Sequence, residues 1–500
     1  MLPAVVQLDL ERKKVLGKME ERAMRKIMNI FVAALVMLAA ASCEKNETLP
    51  DKNSEGKIVT LKASINNGGT KTSLGGEKGS DGKYPVLWSE GDAIAVIQQE
   101  DGDDGSVYIF TLSKDGAGKA SATFECNNAN GFNPDLDYRA VYPASSVVLT
   151  SNGKFEKYRF SATQSYVQNS FGVGAMPMQT RMCIGTERPL SFTNAFGVLK
   201  LQLKGAADEK VTSIVVTSND PLNGEAKLVR GAIKLLGETA EYKKVTLDCS
   251  ADGGVALNPE TATDFHIALP AGATGLKVLI NTYKNRSNYK WSYYKEVPSH
   301  NGEITNEIKA GEILKMPELN TTEISPAYIE NGVYLGDGVA LPAEKDSEGN
   351  PTKYLIWAPK NCGYDASNTS GLKYNGGPSN PCPTGWKVPS KDEVGTLNKN
   401  SNAEILYSEE TPNPPVGLKV FGNVSSKTEN SKWIFLPAEF SSSTSFFSRY
   451  WTSTPDNLKY YYLILNIGYS STNESWSYQL SVPRDGQDKT TQSYIRCVKY

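Results

Sequence analysis

The sequence predicts a mostly β fold, in which two tandem antiparallel β-sandwiches precede a C-terminal region of different composition. A chain of 500 residues is too long for one hydrophobic core, and its length suggests about three domains. Its 43 glycines and 25 tyrosines favour strands and turns over helical bundles. Short β-forming runs recur between turn residues through the first two thirds of the chain, where no long helix-period segment is found.

The N terminus has the pattern of a lipoprotein signal. Arg25 and Lys26 precede an apolar run over residues 27–41, which is too short to span about 30 Å of hydrocarbon as a helix. Small residues at 39–42 lead directly to Cys43. A cysteine in this position is where bacterial lipoproteins are cleaved and acylated, so we expect lipidation at Cys43.

The residues around this signal set the expected boundaries and the location. The first 23 residues do not suit a signal, so residues 1–42 are interpreted as a signal peptide whose true start is Met24 or Met19. Residues 43–56 form a polar, lipidated tether. Glu44 within it resembles an export signal to the outer face of the outer membrane, which implies a cell-surface location.

Residues 57–182 are predicted to form the first sandwich. In the first run Ile58, Leu61, Ala63 and Ile65 alternate imperfectly, as is typical of an edge strand. Gly, Asn and Asp separate the runs, a spacing that indicates an antiparallel sandwich. The expected strands are residues 58–65, 93–98, 107–112, 123–126 and 138–142.

Residues 183–318 are predicted to form the second sandwich. Leu199, Leu201 and Leu203 alternate with polar residues, so one face of this strand is apolar and the other is solvated. The further expected strands are residues 211–217, 264–269 and 276–283.

Residues 319–329 read as a linker, and residues 330–500 as a third domain with long loops. Ser390 and Glu393 form a capping box, which predicts a short helix over residues 391–398. The expected strands of this domain are residues 433–436, 449–453, 460–467, 475–482 and 494–499.

Aromatic residues are dense between residues 446 and 478. Consecutive tyrosines at 460–462 must place rings on both faces of a sheet, so some rings belong to the core. The others are candidates for a surface that binds sugar rings or a protein partner. Tyr450, Trp451 and Trp476 are the aromatic candidates for this surface.

Composition argues against several classes of protein. The net charge of −2 provides no basic excess for phosphates, so nucleic acid is not an expected partner. Of the only two histidines, His266 lies in a strand-like alternation and His300 in a turn, and both are interpreted as structural. We expect no catalytic residue, no metal site, no cofactor and no enzyme activity.

Six cysteines follow Cys43, and no two of them form a C-x-x-C pair. Zinc ribbons and thioredoxin-like chemistry are therefore unsupported, and in an oxidising envelope disulfides are the default use of cysteine. The residues leave the pairing of Cys126, Cys183, Cys249 and Cys362 open.

Residues 57–318 resemble the fimbrillin-like lipoproteins of Bacteroidales. The similar segments are residues 70–74 (TKTSL), 86–94 (VLWSEGDAI), 140–143 (AVYP) and 265–270 (FHIALP). In this pattern Trp88 is a core anchor and the residues after it form a turn. The resemblance implies two sandwiches, a lipoprotein precursor and assembly into fimbriae with other subunits by donor-strand exchange, without catalysis.

In that scheme a trypsin-like protease removes the first strand, and the groove accepts a strand from the next subunit. Lys71 is the candidate processing site, because it follows residues 58–65 in a Gly-rich stretch.

Residues 330–500 resemble the Fibrobacter-type major paralogous domain, which belongs with the C-type-lectin-like and sulfatase-modifying-factor-like α+β folds. The similar segments are residues 382–390 (CPTGWKVPS), 450–454 (YWTST) and 495–499 (IRCVK). The resemblance implies a disulfide between Cys382 and Cys497. The last strand is then pinned and cannot be donated, so the chain would accept a strand without giving one, as a tip subunit does.

Two departures from the lectin and enzyme patterns limit this resemblance. The calcium-binding tripeptides of lectins do not occur, and Asp456 and Asn457 are only a faint echo of them, so calcium-dependent sugar binding is unsupported. The reactive cysteine pair of formylglycine-generating enzymes is also unsupported, because Cys382 and Cys497 are expected to be bonded.

The sequence therefore predicts a structural and adhesive surface lipoprotein, a fimbrial tip or accessory subunit whose C-terminal module binds a glycan or surface protein of host or bacterium. One alternative is a glycan-binding surface lipoprotein that does not polymerise. A less favoured one is an envelope enzyme related to sulfatase-modifying factors.

Overall fold

The fold is mostly β, as the sequence predicts. The structure is a computed structural model, and all the residues that it describes fall within one unit, Ile58–Tyr500. Among them, no helix is long and apolar enough to cross a membrane. The described residues are 58–65, 73–74, 86–100, 103–186, 189–229, 232–284, 289–297, 306–331, 333–348, 351–363, 374–375, 380–400, 402–407, 415–421, 433–437, 439–442, 445–456, 459–472, 475–482, 487–488 and 492–499.

The first part of the chain forms a closed barrel and part of a smaller sheet. Its strands are β1 (Val59–Ile65), β2 (Ser73–Leu74), β3 (Val86–Leu87), β4 (Ala93–Glu100), β5 (Asp103–Leu112), β6 (Ser121–Cys126), β7 (Tyr138–Tyr142), β8 (Val147–Leu149), β9 (Phe155–Phe160), β10 (Thr163–Ser165), β11 (Met178–Thr180) and β12 (Leu190–Asn194). The barrel runs in the order β1, β12, β11, β7, β4, β5 and β6, so a sheet closed on itself takes the place of two facing sheets.

Strand β1 closes the barrel and is not an edge strand. It pairs in antiparallel fashion with β6, with Val59 opposite Cys126, and in parallel fashion with β12, with Ala63 opposite Leu190. The expected edge position is therefore wrong, because both sides of the strand are hydrogen-bonded. The parallel contact joins residues more than a hundred positions apart, which local sequence patterns do not encode.

The alternation of buried and exposed residues in β1 is also more regular than expected, but it starts at Val59 and not at Ile58. Val59, Leu61 and Ala63 are buried, whereas Ile58 is 66% exposed. The polar residues at 60 and 62 point outward. Starting the pattern one residue late makes it a regular two-residue alternation with one face in the core.

Trp88 anchors the barrel core, as the resemblance implies. Its ring is 1% exposed and meets three other rings edge-on, with centroid distances of 4.8 Å to Phe124 and 5.6 Å to both Tyr142 and Phe192. The turn that follows places Gly91 at a φ of +82°, which favours glycine. Asp92 closes this turn, since its carboxylate accepts hydrogen bonds from the Ser89 amide at 2.7 Å and the Tyr142 hydroxyl at 2.8 Å.

The second part contains a sandwich of two sheets and completes the smaller sheet begun in the first part. Its strands are β13 (Phe196–Lys204), β14 (Glu209–Thr217), β15 (Gly224–Val229), β16 (Ala232–Leu235), β17 (Lys244–Asp248), β18 (Val255–Ala256), β19 (Thr263–Pro270), β20 (Lys277–Lys284), β21 (Tyr289–Glu296), β22 (Ile313–Lys315) and β23 (Leu319–Asn320). Leu199, Leu201 and Leu203 are fully buried between the two sheets, as their alternation predicts. On the wet face Lys200 forms an ion pair with Asp264 at 2.5 Å.

The sheets do not divide at residue 182, where the sequence suggested a boundary. Strand β12 completes the barrel although it follows that point, and β10 pairs with β17 of the sandwich although it precedes it. A shared core lies between them, in which Ile97 and Val141 from the barrel pack with Phe196 from the sandwich. The two halves are therefore interleaved rather than successive.

The stretch expected to be a linker is partly built into the sandwich. Strand β23 pairs in parallel fashion with β13, with Leu203 opposite Leu319. The hydroxyl of Thr321 donates to the buried Glu209 carboxylate at 2.6 Å.

In its described residues, the third part contains several small sheets and one α-helix. The helix, α1 (Lys391–Asn400), begins at the predicted capping box: the Ser390 amide donates to the Glu393 carboxylate at 2.7 Å, and the Glu393 amide donates to Ser390 Oγ at 3.2 Å. The strands are β24 (Ala327–Glu330), β25 (Val333–Asp337), β26 (Val339–Lys345), β27 (Pro351–Trp357), β28 (Tyr374–Asn375), β29 (Asn402–Tyr407), β30 (Pro415–Phe421), β31 (Trp433–Pro437), β32 (Glu439–Ser442), β33 (Ser445–Asp456), β34 (Lys459–Ser470), β35 (Ser475–Ser481), β36 (Gln487–Asp488), β37 (Gln492–Ser493) and β38 (Val498–Lys499).

The third part packs against strand β21 of the sandwich. The rings of Tyr294 and Tyr334 stack with a centroid distance of 3.8 Å. The Lys499 ammonium donates to the Lys290 carbonyl at 2.8 Å and lies 4.6 Å from the centroid of the Trp291 ring. The penultimate residue of the chain is therefore held at this junction.

Candidate functional site

The slot occupied by β1 is the first candidate site. Leu61 and Ala63 point into the barrel core, which also holds Trp88 and Phe124. Strands β6 and β12 line the slot on its two sides and hydrogen-bond to β1 along it. A strand in this slot must present apolar side chains at every second position and complete two ladders of main-chain hydrogen bonds.

Burial indicates how strongly the slot holds its strand. Burying a Val or Leu side chain stabilises a fold by about 1.5–3 kcal/mol. Val59 and Leu61 are 9% and 1% exposed, so together they contribute several kcal/mol. Any strand that replaced β1 would need comparable side chains at both positions.

Several predicted site residues lie outside the described residues. They are Cys43, Lys71 and Asn457, and His300, which was interpreted as structural, lies outside them too. The backbone of Trp451 and Asp456 lies in β33 and that of Trp476 in β35, but their side chains are not among those described. The ligand surface expected around them therefore stays a prediction.

Tyr450 is a core residue, which corrects its assignment to the ligand surface. Its side chain is 2% exposed, and its hydroxyl donates to the Pro437 carbonyl at 3.1 Å. The ring centroid lies 5.8 Å from that of Tyr494. A ring enclosed in this way has no face left for a sugar.

Two tyrosines that were not singled out as binding residues are more exposed. Tyr354 on β27 is 52% exposed and Tyr478 on β35 is 41% exposed. Alternation could have indicated Tyr354, because its neighbour Leu355 points inward, but it could not have indicated Tyr478, which is two positions from the buried Leu480.

The disulfide implied by the resemblance is present. Cys382 and Cys497 are bonded, with 5.9 Å between their Cα atoms. The bond ties the segment before α1 to the end of the chain, where β38 pairs with β27. Cys126, Cys183, Cys249 and Cys362 carry thiols.

His266 is buried on β19 and is 3% exposed. Burial is the main reason that its pKa is lowered to about 4, and the positive charge of Lys200 lowers it further. The imidazole is therefore neutral near pH 7. In the described part of the chain, no group of three or more His, Cys, Asp or Glu side chains is placed to hold a metal ion.

A pair of cavities lies beside strand β9, and sequence reasoning missed them. Their volumes are about 510 and 700 Å³. Both are lined by Ser145, Arg159, Phe160 and Ser161. The Arg159 guanidinium already donates to the Glu225 carboxylate at 3.0 Å, so the one cation common to both walls is paired.

Comparison with known proteins gives weak likenesses. No protein-family model matches the sequence, and no curated protein matches it. Among solved structures, the chain is similar to a candidate cell adhesion protein from Bacteroides uniformis, with a TM-score of 0.32 and 17% identity over 53% of this chain and 93% of that one. A candidate cell adhesion protein from Bacteroides fragilis gives a TM-score of 0.31 and 13% identity over 55% of this chain and 96% of that one.

A third likeness is to the tip fimbrial protein Mfa3 from Porphyromonas gingivalis, solved with a C-terminal truncation. Its TM-score is 0.21, with 11% identity over 49% of this chain and 83% of that one. TM-scores and identities this low do not establish membership of a family.

Proposed function

We propose that this chain is a lipid-anchored structural and adhesive protein of the cell surface, a fimbrial tip or accessory subunit without enzyme activity. The proposal rests on the sequence resemblance and on one structural feature, the position of β1. An N-terminal strand that completes a barrel between β6 and β12 is the element whose removal would leave a slot for a strand from another subunit.

The C-terminal end of the chain supports a tip position. A shaft subunit must both accept a strand and donate one. Strand β38 is paired with β27, and the preceding Cys497 is bonded to Cys382. Lys499 is 3% exposed and is held against the sandwich. Donating this strand would break all of these contacts, which supports a subunit that accepts a strand and donates none.

Mass spectrometry of purified fimbriae tests this assignment. We expect peptides of this chain at the fimbrial end, beginning after Lys71 and lacking residues 44–65. A Lys71→Ala variant should keep β1 and stay out of fimbriae, whereas Lys62→Ala, at an exposed position of β1, should assemble normally. The proposal fails if the chain is absent from fimbriae, lies along the shaft, or still carries residues 44–65.

The second candidate function is a surface lipoprotein that binds glycans and never polymerises. The pairing of β1 with β6 along residues 59–64 and with β12 along residues 63–65 favours it, because a strand paired on both sides can remain in place. Denaturing gels of unheated surface extracts separate the two functions. A ladder of this chain with other subunits supports assembly, and a single monomer band supports the alternative.

Ligand binding, in either function, is proposed to reside in residues 330–500 and to need no calcium. A glycan array probed with the full mature chain, with and without a chelator, tests the calcium requirement. Tyr354→Ala and Tyr478→Ala test the exposed rings, with the buried Tyr450→Phe as a control. Loss of binding on chelation would contradict the proposal.

A further inference from the structure

A third cysteine lies beside the Cys382–Cys497 disulfide. Cys362 carries a thiol and is completely buried in the same cluster as both bonded cysteines. Its amide donates to the Ile495 carbonyl at 2.9 Å, two residues before Cys497. Its Sγ lies 3.1 Å from the Pro381 carbonyl oxygen, which leads directly into Cys382. The thiol is therefore held against both chain segments that the disulfide joins.

Two polar side chains link the Cys362 thiol to Cys497 Sγ. Cys362 Sγ lies 3.4 Å from Glu330 Oε1 as well as 3.1 Å from the Pro381 carbonyl oxygen, so its one proton can be donated to either, and the Tyr328 hydroxyl donates to the other carboxylate oxygen, Oε2, at 3.3 Å. The Tyr328 hydroxyl also lies 3.7 Å from Cys497 Sγ. One carboxylate thus contacts the thiol directly and reaches the far sulfur of the disulfide through one hydroxyl.

We propose that Cys362, Cys382 and Cys497 form a thiol–disulfide exchange site in which Glu330 and Tyr328 move the proton. Cys362 gives its proton to Glu330, and the resulting thiolate attacks Cys382 Sγ. The Cys362–Cys382 bond forms as the Cys382–Cys497 bond breaks, and the electron pair passes to Cys497 Sγ. Tyr328 donates its proton to that sulfur and recovers one from Glu330.

The step balances without an outside reagent. One disulfide and one thiol are present before and after it, so no oxidant or reductant is consumed. Exchange proceeds through the thiolate, which a nearby positive charge favours. The buried Arg496 guanidinium donates to the Ala358 carbonyl at 3.0 Å, in the same cluster, and its charge opposes the rise that burial causes in the pKa of Tyr328, the group that would protonate Cys497 Sγ.

Exchange would change what holds the end of the chain. With Cys497 released, β38 keeps two paired residues on β27, Ile356 opposite Lys499 and Trp357 opposite Val498. The covalent tie moves to the segment between Cys362 and Cys382. This proposal does not depend on the fimbrial assignment, because it concerns the covalent chemistry of the module alone.

Peptide mapping of the full mature chain under non-reducing conditions tests the pairing. In a Cys497→Ser variant we expect a Cys362–Cys382 disulfide. A matched Cys249→Ser variant, which removes a buried thiol of the sandwich, should keep the Cys382–Cys497 bond. Finding both Cys362 and Cys382 as thiols in folded Cys497→Ser overturns the proposal.

The wild-type chain provides a second test that needs no folded variant. Slow alkylation of the native protein should trap molecules labelled at Cys497 and bonded between Cys362 and Cys382. Label on Cys362 alone, with the Cys382–Cys497 bond intact in every molecule, also overturns the proposal. Labelling of the half-buried Cys183 serves as the internal standard for reagent and folding.

Variants of Glu330 test the proton path. Glu330→Gln keeps an oxygen that can accept a hydrogen bond from the Gly363 amide, as Glu330 Oε1 does at 2.8 Å in the wild-type chain. The glutamine side chain cannot take a proton, however. We expect it to slow the labelling of Cys497 relative to Cys183 by roughly tenfold or more, since a positioned base contributes at least that much. Glu344→Gln, at an exposed carboxylate, should leave the rate unchanged. Equal rates in Glu330→Gln and wild type would remove Glu330 from the site.

Discussion

Single residues in this protein show how burial alters chemistry. The buried side chain of His266 lies in surroundings that differ strongly from water. A carboxylate, Asp264, and an ammonium, Lys200, lie close enough to influence it in opposite directions. Burial and the charge of Lys200 together outweigh the effect of Asp264, so protonating this imidazole costs folding free energy.

The pH dependence of stability follows from that burial. The folded pKa of about 4 lies below the unfolded value of 6.5, so the folded state binds fewer protons between these two values. The contribution of His266 is complete above pH 6.5 and is lost as the pH falls toward 4, by about 3 kcal/mol at most. His266→Gln should flatten the free energy of unfolding across this window, measured by urea denaturation. His300→Gln is the control, and an unchanged slope in His266→Gln would contradict the assignment.

Glu209 is a second residue whose surroundings decide its effect. Its carboxylate is fully buried and accepts hydrogen bonds from Thr282 and Thr321 at 2.6 Å and from Tyr293 at 3.2 Å. Lys284 lies 3.5 Å away. Glu209→Ala leaves three hydroxyls and an ammonium without their acceptor, so we expect a loss of about 3–5 kcal/mol in the free energy of unfolding. Glu238→Ala, at an exposed position, should change it by less than about 0.5 kcal/mol.

At the scale of elements, sequence patterns predicted the features that interactions between neighbouring residues determine. The capping box located the start of α1, because the hydrogen bonds that make it lie within three residues. The Leu199, Leu201 and Leu203 alternation gave β13 and its buried face. The pairing of β1 with β12 was missed, since Ala63 and Leu190 are neighbours only after the intervening chain has folded. Tyr450 was misplaced for the same reason, because an aromatic residue in a strand fits either face equally well.

The phase of β1 gives a test of this element. Leu61 points into the barrel and Lys62 points outward, so neighbouring substitutions should differ sharply. We expect Leu61→Ala to cost about 2–5 kcal/mol in the free energy of unfolding, and Lys62→Ala less than about 0.5 kcal/mol. Chemical denaturation of both variants measures the difference. Equal losses in the two variants would contradict the orientation described, in which Leu61 points into the barrel and Lys62 points outward.

At the scale of the whole molecule, the sequence did not reveal that strands of the barrel and of the sandwich are interleaved along the chain. A boundary at residue 182 follows from composition, but β10 crosses to the sandwich and β12 returns to the barrel. The apolar faces of Ile97 and Phe196 then share one core. We therefore expect the barrel and the sandwich to unfold together.

The disulfide between Cys382 and Cys497 closes a long loop in the third part. It joins residues 115 positions apart, so it restricts the unfolded chain strongly. In the loop-entropy model such a bond contributes about 4–5 kcal/mol. A Cys382→Ser, Cys497→Ser double variant should lose stability of this size in the third part, measured by denaturation followed through hydrogen exchange. Cys126→Ser is the control, and equal protection of residues 330–500 in the double variant would contradict the estimate.

The seat of β1 also has a mechanical consequence. A force applied along the axis of β1 acts on a strand that is paired on both sides. Its hydrogen bonds to β6 and β12 lie across the strand, and a pull along the strand axis loads them together in shear. Hydrogen bonds that are loaded together resist a larger force than hydrogen bonds that break one at a time, as they would if the strand were peeled away from one end. Strand β1 is therefore placed to resist a pull along its axis through both sets of hydrogen bonds at once.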